Sequence, residues 1–115
     1  MQLLETIDLI FKKRKLKLKL QTYEILSTGE NCGLVGFIKD SMSIDGIKRM
    51  LKESSGREMT LYDFYQVRFH DESDPNHKSI YKQAINNLAD SFAAYSLVCY
   101  ILQIKDRHNA NILIN

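Results

Sequence analysis

The hydrophobic positions of this chain change rhythm several times, and each change marks an element. Leu3, Leu4, Ile7, Ile10 and Phe11 recur at offsets of three and four, which predicts an amphipathic helix over 3–14. Over 15–20 the string KLKLKL has a period of two, the signature of a strand with one wet face. That strand is expected to run on through Tyr23, Ile25 and Leu26. A second apolar run over 34–38, LVGFI, reads as a buried strand, and the intervening TGENCG supplies turn chemistry at Gly29, Asn31 and Gly33. The two runs are expected to pair as a hairpin.

Beyond Asp40 the pattern turns helical. Ser43 is a predicted N-cap for a helix over 44–51, ESSGRE is a predicted loop, and Thr60 is placed to cap a further helix to about Phe69. Residues 70–76, with Pro75, read as a loop. The longest periodic stretch is 78–103, where Ile85, Leu88, Phe92, Tyr95, Ser96 and Cys99 march at three and four; as a helix it would be about 36–39 Å long. Its second half, AAYSLVCYIL, is apolar nearly all round. It is therefore expected to be buried on all sides, as the central post of a domain larger than 115 residues can wrap. Poor solubility of the isolated chain is the corollary.

Composition narrows the class. Hydrophobic residues at 44% and charged residues at 26% argue against wholesale disorder. A net charge of +2 gives no global field for nucleic acid or membrane. The charge is instead local: six of the eight residues over 12–19 are basic. That run reads either as a lysine-guarded strand edge, the favoured reading, or as a contact for anionic lipid. Cys32 and Cys99 lack metal-ligand spacing, lie in apolar stretches and read as buried reduced thiols. No apolar run reaches the roughly 18 residues of a spanning helix. The start is not a signal peptide, because Glu5 and Asp8 come early and the positive charges follow the apolar part. His70 and His77 beside Asp71, Glu72 and Asp74 read as a solvated loop before a metal site, and Tyr62, Phe64, Tyr65 and Phe69 as helix core before a stacking platform.

The chemistry sits at the far end, in IKDRHNANILI. Asp106 and Asn111 are five residues apart, the D-x-x-x-x-N spacing of a kinase catalytic loop. In that arrangement the carboxylate orients or deprotonates an attacking hydroxyl, and the amide oxygen serves as a ligand to Mg2+, a hard cation that prefers oxygen. Arg107 and His108 add cationic and hydrogen-bonding groups where phosphate charge must be balanced. Taken alone, the spacing is weak: Asp106 could cap a turn and Asn111 satisfy backbone groups.

The longer string is specific. DRHNANI resembles the catalytic loop of the phosphatidylinositol 3-/4-kinase superfamily, and SFAAYSLVCYILQIKDRHNANILI is similar to the phosphatidylinositol 4-kinase branch, in which a Lys (here Lys105) precedes DRHN. LKLQTYEILSTGENCGLVGFIKDSMSIDGIKR resembles that family's paired strands, hinge and first helix after the hinge, and MTLYDFY the segment that follows. The first helix resembles the one that carries a structural acid in the amino-terminal lobe, with Glu5 and Asp8 as candidates.

The resemblance implies an α+β, partial protein-kinase-like fold: 1–38 as the end of the amino-terminal lobe and hinge, and 39–115 as the start of the carboxy-terminal lobe with its catalytic loop at 104–112. It implies Asp106, His108 and Arg107 as catalytic residues, His108 being either a base or a γ-phosphate contact, and Asn111 as the metal ligand. Val35, Gly36 and Ile38 would bind ATP, the first lining the adenine pocket and the other two offering backbone groups to the adenine edge. ATP and Mg2+ are the implied cofactors. The implied partner is phosphatidylinositol in membranes, phosphorylated at its 4-hydroxyl, with no nucleic acid and a cytoplasmic, membrane-peripheral location for the parent enzyme. Two positions depart from the family pattern: Ala110 stands where Gly or Ser is usual, and Gly36-Phe37 where the hinge usually reads Glu-Pro. The second change frees dihedrals that proline would fix.

The same resemblance marks what the 115 residues omit: a glycine-rich phosphate loop, an upstream strand lysine, the DFG segment and the activation loop. The chain reads as a fragment of such an enzyme; the rivals are a non-catalytic binding product and a kinase with a different acceptor. Phosphoryl transfer needs all of its positioning parts. The isolated chain is therefore expected to move no labelled phosphate from ATP to phosphatidylinositol, and turnover by the 115-mer alone contradicts that expectation.

Overall fold

A computed structural model describes residues 2–71 and 73–115. Eight elements follow one another: α1 (Gln2–Lys13), β1 (Ile25–Gly29), β2 (Cys32–Val35), β3 (Met42–Ser43), α2 (Ile44–Ser55), α3 (Leu61–Phe69), α4 (His77–Ile101) and β4 (Leu113–Ile114). The strands form two antiparallel pairs, β1 with β2 and β3 with β4. The chain is thus α+β, and the expected helices are present within one to four residues of their expected ends. It divides into two units. One comprises the segment through Lys39 together with Asp90–Ile104; the other comprises Asp40–Ala89 and Lys105–Asn115.

In the first unit, α1 buries Phe11, and Leu4, Ile7 and Asp8 are half-buried beneath it, whereas Leu3 and Ile10 of the expected face stay exposed. Asp8 pairs with Lys12 at 2.6 Å, one turn on. The helix stops where Lys15 takes φ 54° and the Leu16 N–H donates to the Phe11 C=O at 2.9 Å. This is the left-handed, six-to-one closure that satisfies late helix carbonyls. The KLKLKL stretch that follows is not a strand. It alternates as expected, with Leu18 and Leu20 half-buried and Lys17 and Lys19 exposed, but no strand pairs with it. Alternation says which side chains turn inward; it does not supply a ladder partner.

The hairpin forms later than expected, from β1 and β2. Its register is Ile25↔Val35, Leu26↔Leu34, Ser27↔Gly33 and Gly29↔Cys32, with a bulge at Thr28. Gly33 is required here, because a Cβ would come within 2.9 Å of the Leu26 carbonyl oxygen. Strand β2 ends at Val35, so the buried strand expected over 34–38 is not found; every residue of the hairpin is exposed. Cys32 is exposed and Cys99 half-buried, both free thiols, which corrects the expectation that both are buried.

Helix α4 has the expected extent but not the expected environment. Ala94 and Val98 are fully buried, while Phe92, Leu97, Tyr100 and Ile101 are exposed, Tyr100 by 77%. An all-apolar circumference marks a helix able to be enclosed; among the described residues one stripe, through Ala94 and Val98, is covered. Tyr95 fixes that stripe by donating its hydroxyl to the Gln21 C=O. Burial raises the Tyr95 hydroxyl above its ordinary pKa, with smaller contributions from Tyr23 and Cys99, and so keeps it a donor. The helix ends as α1 does, with Gln103 at φ 55° and the Ile104 N–H on the Cys99 C=O at 2.9 Å.

The second unit is built on α2 and α3. Ile44, Ile47 and Leu51 line one face of α2 and are buried with Tyr65 of α3. The Tyr65 ring lies 5.7 Å from Phe64 and 5.4 Å from Phe69, while Tyr62 points outward. Helix α2 outruns its expected end and passes through Ser55, stopping at Gly56, whose φ of 70° only glycine adopts without strain. Loop 70–76 closes locally: Asp71 accepts from the Ser73 N–H and hydroxyl, and the His70 and His77 rings meet edge to face at 4.8 Å. Glu72 lies outside the described residues. Among those described, no group of three or more His, Cys, Asp or Glu could hold a metal, and no helix is long and apolar enough to cross a membrane.

Thr60 caps α3 through a reciprocal box: its hydroxyl accepts from the Asp63 N–H at 3.2 Å, and the Asp63 carboxylate accepts from the Thr60 N–H at 2.7 Å. That backbone bond, then the Thr60 hydroxyl, hold the Asp63 carboxyl below its ordinary value of 3.8. Thr60→Ala is expected to cost about 1 kcal/mol in denaturant unfolding. A carboxyl depressed by folding contributes fully above its unfolded pKa and loses that contribution as pH falls through the folded value. Stability should therefore drop on acidification below about pH 4, and Asp63→Asn should flatten that limb of the unfolding profile.

Candidate active site

The DRHN loop is anchored by the start of α2. The first N–H groups of a helix have no partner inside it. Here Ile44 donates to the Ile112 C=O at 3.0 Å and Asp45 to the Asn109 C=O at 3.1 Å. Ser43 accepts the next donor, the Gly46 N–H, on its hydroxyl at 3.0 Å. The two-residue pairing Met42↔Ile114 and Ser43↔Leu113 continues the attachment. Four backbone positions of the loop and its following strand are thereby fixed on a helix whose own apolar face is buried. A Cβ at residue 46 would meet Met42 Cγ at 3.0 Å, so glycine lets α2 start this close to β3.

On that base Asp106 and Asn111 come together. The Asn111 Nδ2 donates to Asp106 Oδ2 at 3.0 Å and to the Asp106 C=O at 3.3 Å. The amide is thus oriented: with its nitrogen spent on Asp106, its Oδ1 faces away from the bond. Asp106 is 78% exposed and His108 59%. The His108 Nδ1 accepts from the Ala110 N–H at 3.3 Å, and its Nε2 lies 3.5 Å from Asp106 Oδ1. An Nδ1 that accepts carries no proton, so the neutral ring bears its hydrogen on Nε2, facing the carboxylate. Arg107 is exposed and its N–H donates to the Lys105 C=O at 2.8 Å, while the Asn111 N–H closes the turn on the His108 C=O at 2.8 Å.

Mg2+ takes oxygen ligands, few of them from protein where phosphates and water supply the rest. Asn111 Oδ1, left over when the amide nitrogen bonds Asp106, fits that sparse donor set. It would hold the ion beside phosphates, where the ion would supply charge neutralisation.

The remaining predicted residues lie on and after β2, in the first unit. Val35 is exposed and pairs with Ile25. The Gly36 N–H donates to the Glu24 C=O at 2.7 Å, and a Cβ at 36 would come within 3.2 Å of both the Glu24 N and O. Ile38 is half-buried, and Phe37 between them is 84% exposed. Sequence reading missed the role of Ser43, Ile44 and Asp45 in holding the loop. The cap at Ser43 was legible, but the pairing of two-residue strands 71 residues apart left no pattern.

Comparison with known proteins places the whole chain, not the loop alone, in a family. The family model "Phosphatidylinositol 3- and 4-kinase" matches residues 1–115. A phosphatidylinositol 4-kinase of Candida albicans is 40% identical over 122 residues, covering 99% of this chain and 12% of that protein. A phosphatidylinositol 4-kinase of Dictyostelium discoideum is 40% identical over 114 residues, 99% of this chain and 9% of that protein. One from Saccharomyces cerevisiae is 36% identical over 123 residues, 99% of this chain and 11% of that protein. The chain spans about a tenth of the length of these relatives. With a match along its whole length and these 4-kinases among its relatives, the chain belongs to the phosphatidylinositol 3- and 4-kinase family, with a partial kinase-like α+β fold.

Proposed function

We propose that this chain supplies the catalytic loop of a lipid kinase that transfers the γ-phosphate of ATP to the 4-hydroxyl of phosphatidylinositol. The observation that carries the reading is the hydrogen-bonded pair of Asp106 and Asn111 in the loop held by the start of α2, and the names of the 4-kinase relatives favour the lipid acceptor; a lipid acceptor in turn calls for a peripheral membrane location of the parent enzyme. In this reading residues 1–38 end the amino-terminal lobe and 39–115 begin the carboxy-terminal one.

Each residue then has a defined task. Asp106 Oδ2 is engaged by Asn111, so Oδ1 receives the acceptor hydroxyl and its proton. As the hydroxyl oxygen bonds to the γ-phosphorus, the bond to the β,γ-bridging oxygen breaks and ADP leaves with that electron pair. Asn111 Oδ1 is the metal ligand. With Nδ1 occupied by the Ala110 amide, His108 is a donor through its Nε2 hydrogen and not a base; that hydrogen, facing Asp106 Oδ1 at 3.5 Å here, turns to the γ-phosphate oxygens once substrate is bound. Arg107 adds a fixed positive charge. At the hinge the Gly36 N–H is committed to Glu24, which leaves its carbonyl for the adenine edge, with the Ile38 backbone beside it and Val35 lining the pocket.

The test is a chimera in which this chain replaces the matching segment of the Saccharomyces cerevisiae relative. It is expected to form phosphatidylinositol 4-phosphate, and Asp106→Asn should lower kcat by about 10²- to 10⁴-fold with little change in KM for lipid. Asn111→Ala should raise the Mg2+ concentration needed for half-maximal rate. Product phosphorylated at another position, or protein instead of lipid, rejects the acceptor. For His108, nitrogen NMR of the neutral ring should find the proton on Nε2; a proton on Nδ1 rejects the donor role.

A further inference from the structure

We propose that residues 12–19 form an ordered basic ridge that docks the protein on an anionic membrane surface. Lys12, Lys13, Arg14, Lys15, Lys17 and Lys19 are all exposed. Six of the chain's sixteen basic side chains lie in these eight residues with no acid among them, so the other ten are outnumbered by fourteen acidic ones. The positive field is therefore confined to this ridge.

Three structural observations make it a surface and not merely a composition. The backbone turn at Lys15 and the bond from Leu16 to Phe11 fix where the chain leaves α1. The Tyr95 hydroxyl holds the far end at Gln21. Between them Leu18 and Leu20 turn inward and Lys17 and Lys19 outward, so the lysines project together. Lys12 answers Asp8, but Lys13, Arg14, Lys15 and Lys17 have no acidic partner among the described residues. The ordinary explanations cover only part of the run. Cations suit the negative end of a helix within its last turn, which accounts for Lys12 and Lys13 and not for Lys17. Lysines guard strand edges, but no strand lies here.

The partner follows from the charge and one apolar side chain. Clusters of four to eight basic residues bind anionic lipid surfaces, each residue near the surface strengthening binding roughly fivefold. Leu16 stands exposed between Lys15 and Lys17. An apolar side chain among cations suits a bilayer interface, where it can enter the headgroup layer; a duplex nucleic acid offers it nothing. The choice of a membrane also rests on the lipid kinase reading, but its test does not.

The experiment is vesicle flotation of the full 115-residue chain, with no ATP and no phosphatidylinositol present. It should float with phosphatidylcholine vesicles containing phosphatidylserine, not with phosphatidylcholine alone, and should release when salt is raised, because surface charge is screened. The triple variant Lys13→Gln, Arg14→Gln, Lys17→Gln should partition roughly a hundredfold less. Arg68→Gln, Lys78→Gln, Lys82→Gln, which removes the same charge elsewhere, should stay within about twofold of the unaltered chain. Lys13→Arg with Lys17→Arg should retain binding and shows that the ridge tolerates replacement. Equal loss in both triple variants, binding to phosphatidylcholine alone, or tighter binding to a DNA duplex than to the charged vesicles overturns the proposal. Failure of the chimera to phosphorylate lipid would leave it standing.

Discussion

The candidate site depends on the unpaired donors at the start of one helix. Any helix must place its leading N–H groups somewhere, and α2 gives two of them to carbonyls of the DRHN loop and one to the side chain of Ser43. A loop of exposed polar residues cannot hold itself in place by burial, because it has little apolar surface to hide. Here its backbone borrows rigidity from a helix whose other face carries Ile44, Ile47 and Leu51 in the unit's core. The energy that orders the loop is thus hydrophobic in origin and delivered through hydrogen bonds.

With the backbone held, the side chains divide their polar atoms economically. One oxygen of Asp106 takes the Asn111 amide and the other faces the His108 Nε2 at 3.5 Å, while the Asn111 amide oxygen is left facing outward. Catalysis of phosphoryl transfer is mostly positioning and electrostatics. A carboxylate, an amide oxygen and two cationic or donor groups held within six residues suit it. Their exposure places them where a substrate would supply the missing walls.

Local grammar was the legible part of the sequence. The caps at Ser43 and Thr60, the break at 70–76, the extent of α4 and the Asp106–Asn111 loop could all be read, because each rests on contacts within a few residues. What failed needed distant partners. KLKLKL had the period of a strand but no neighbour to pair with, and the hairpin formed instead where Gly33 allows two backbones to approach. The all-apolar half of α4 and the cysteine at 32 were read as interior from composition, whereas burial depends on what covers a side chain. The docking of α2 onto the loop was invisible for the same reason: two-residue strands carry no periodicity.

The backbone amide of Ala110 has a consequence for how this site tolerates change. It is a main-chain group that occupies one imidazole nitrogen of His108, so swapping the methyl of residue 110 for a hydrogen or a hydroxymethyl leaves the latch closed. Only an imino acid would open it, returning the lone pair and letting the ring flip its proton. The chemistry of the neighbouring ring is thus insulated from the choice among small residues at position 110.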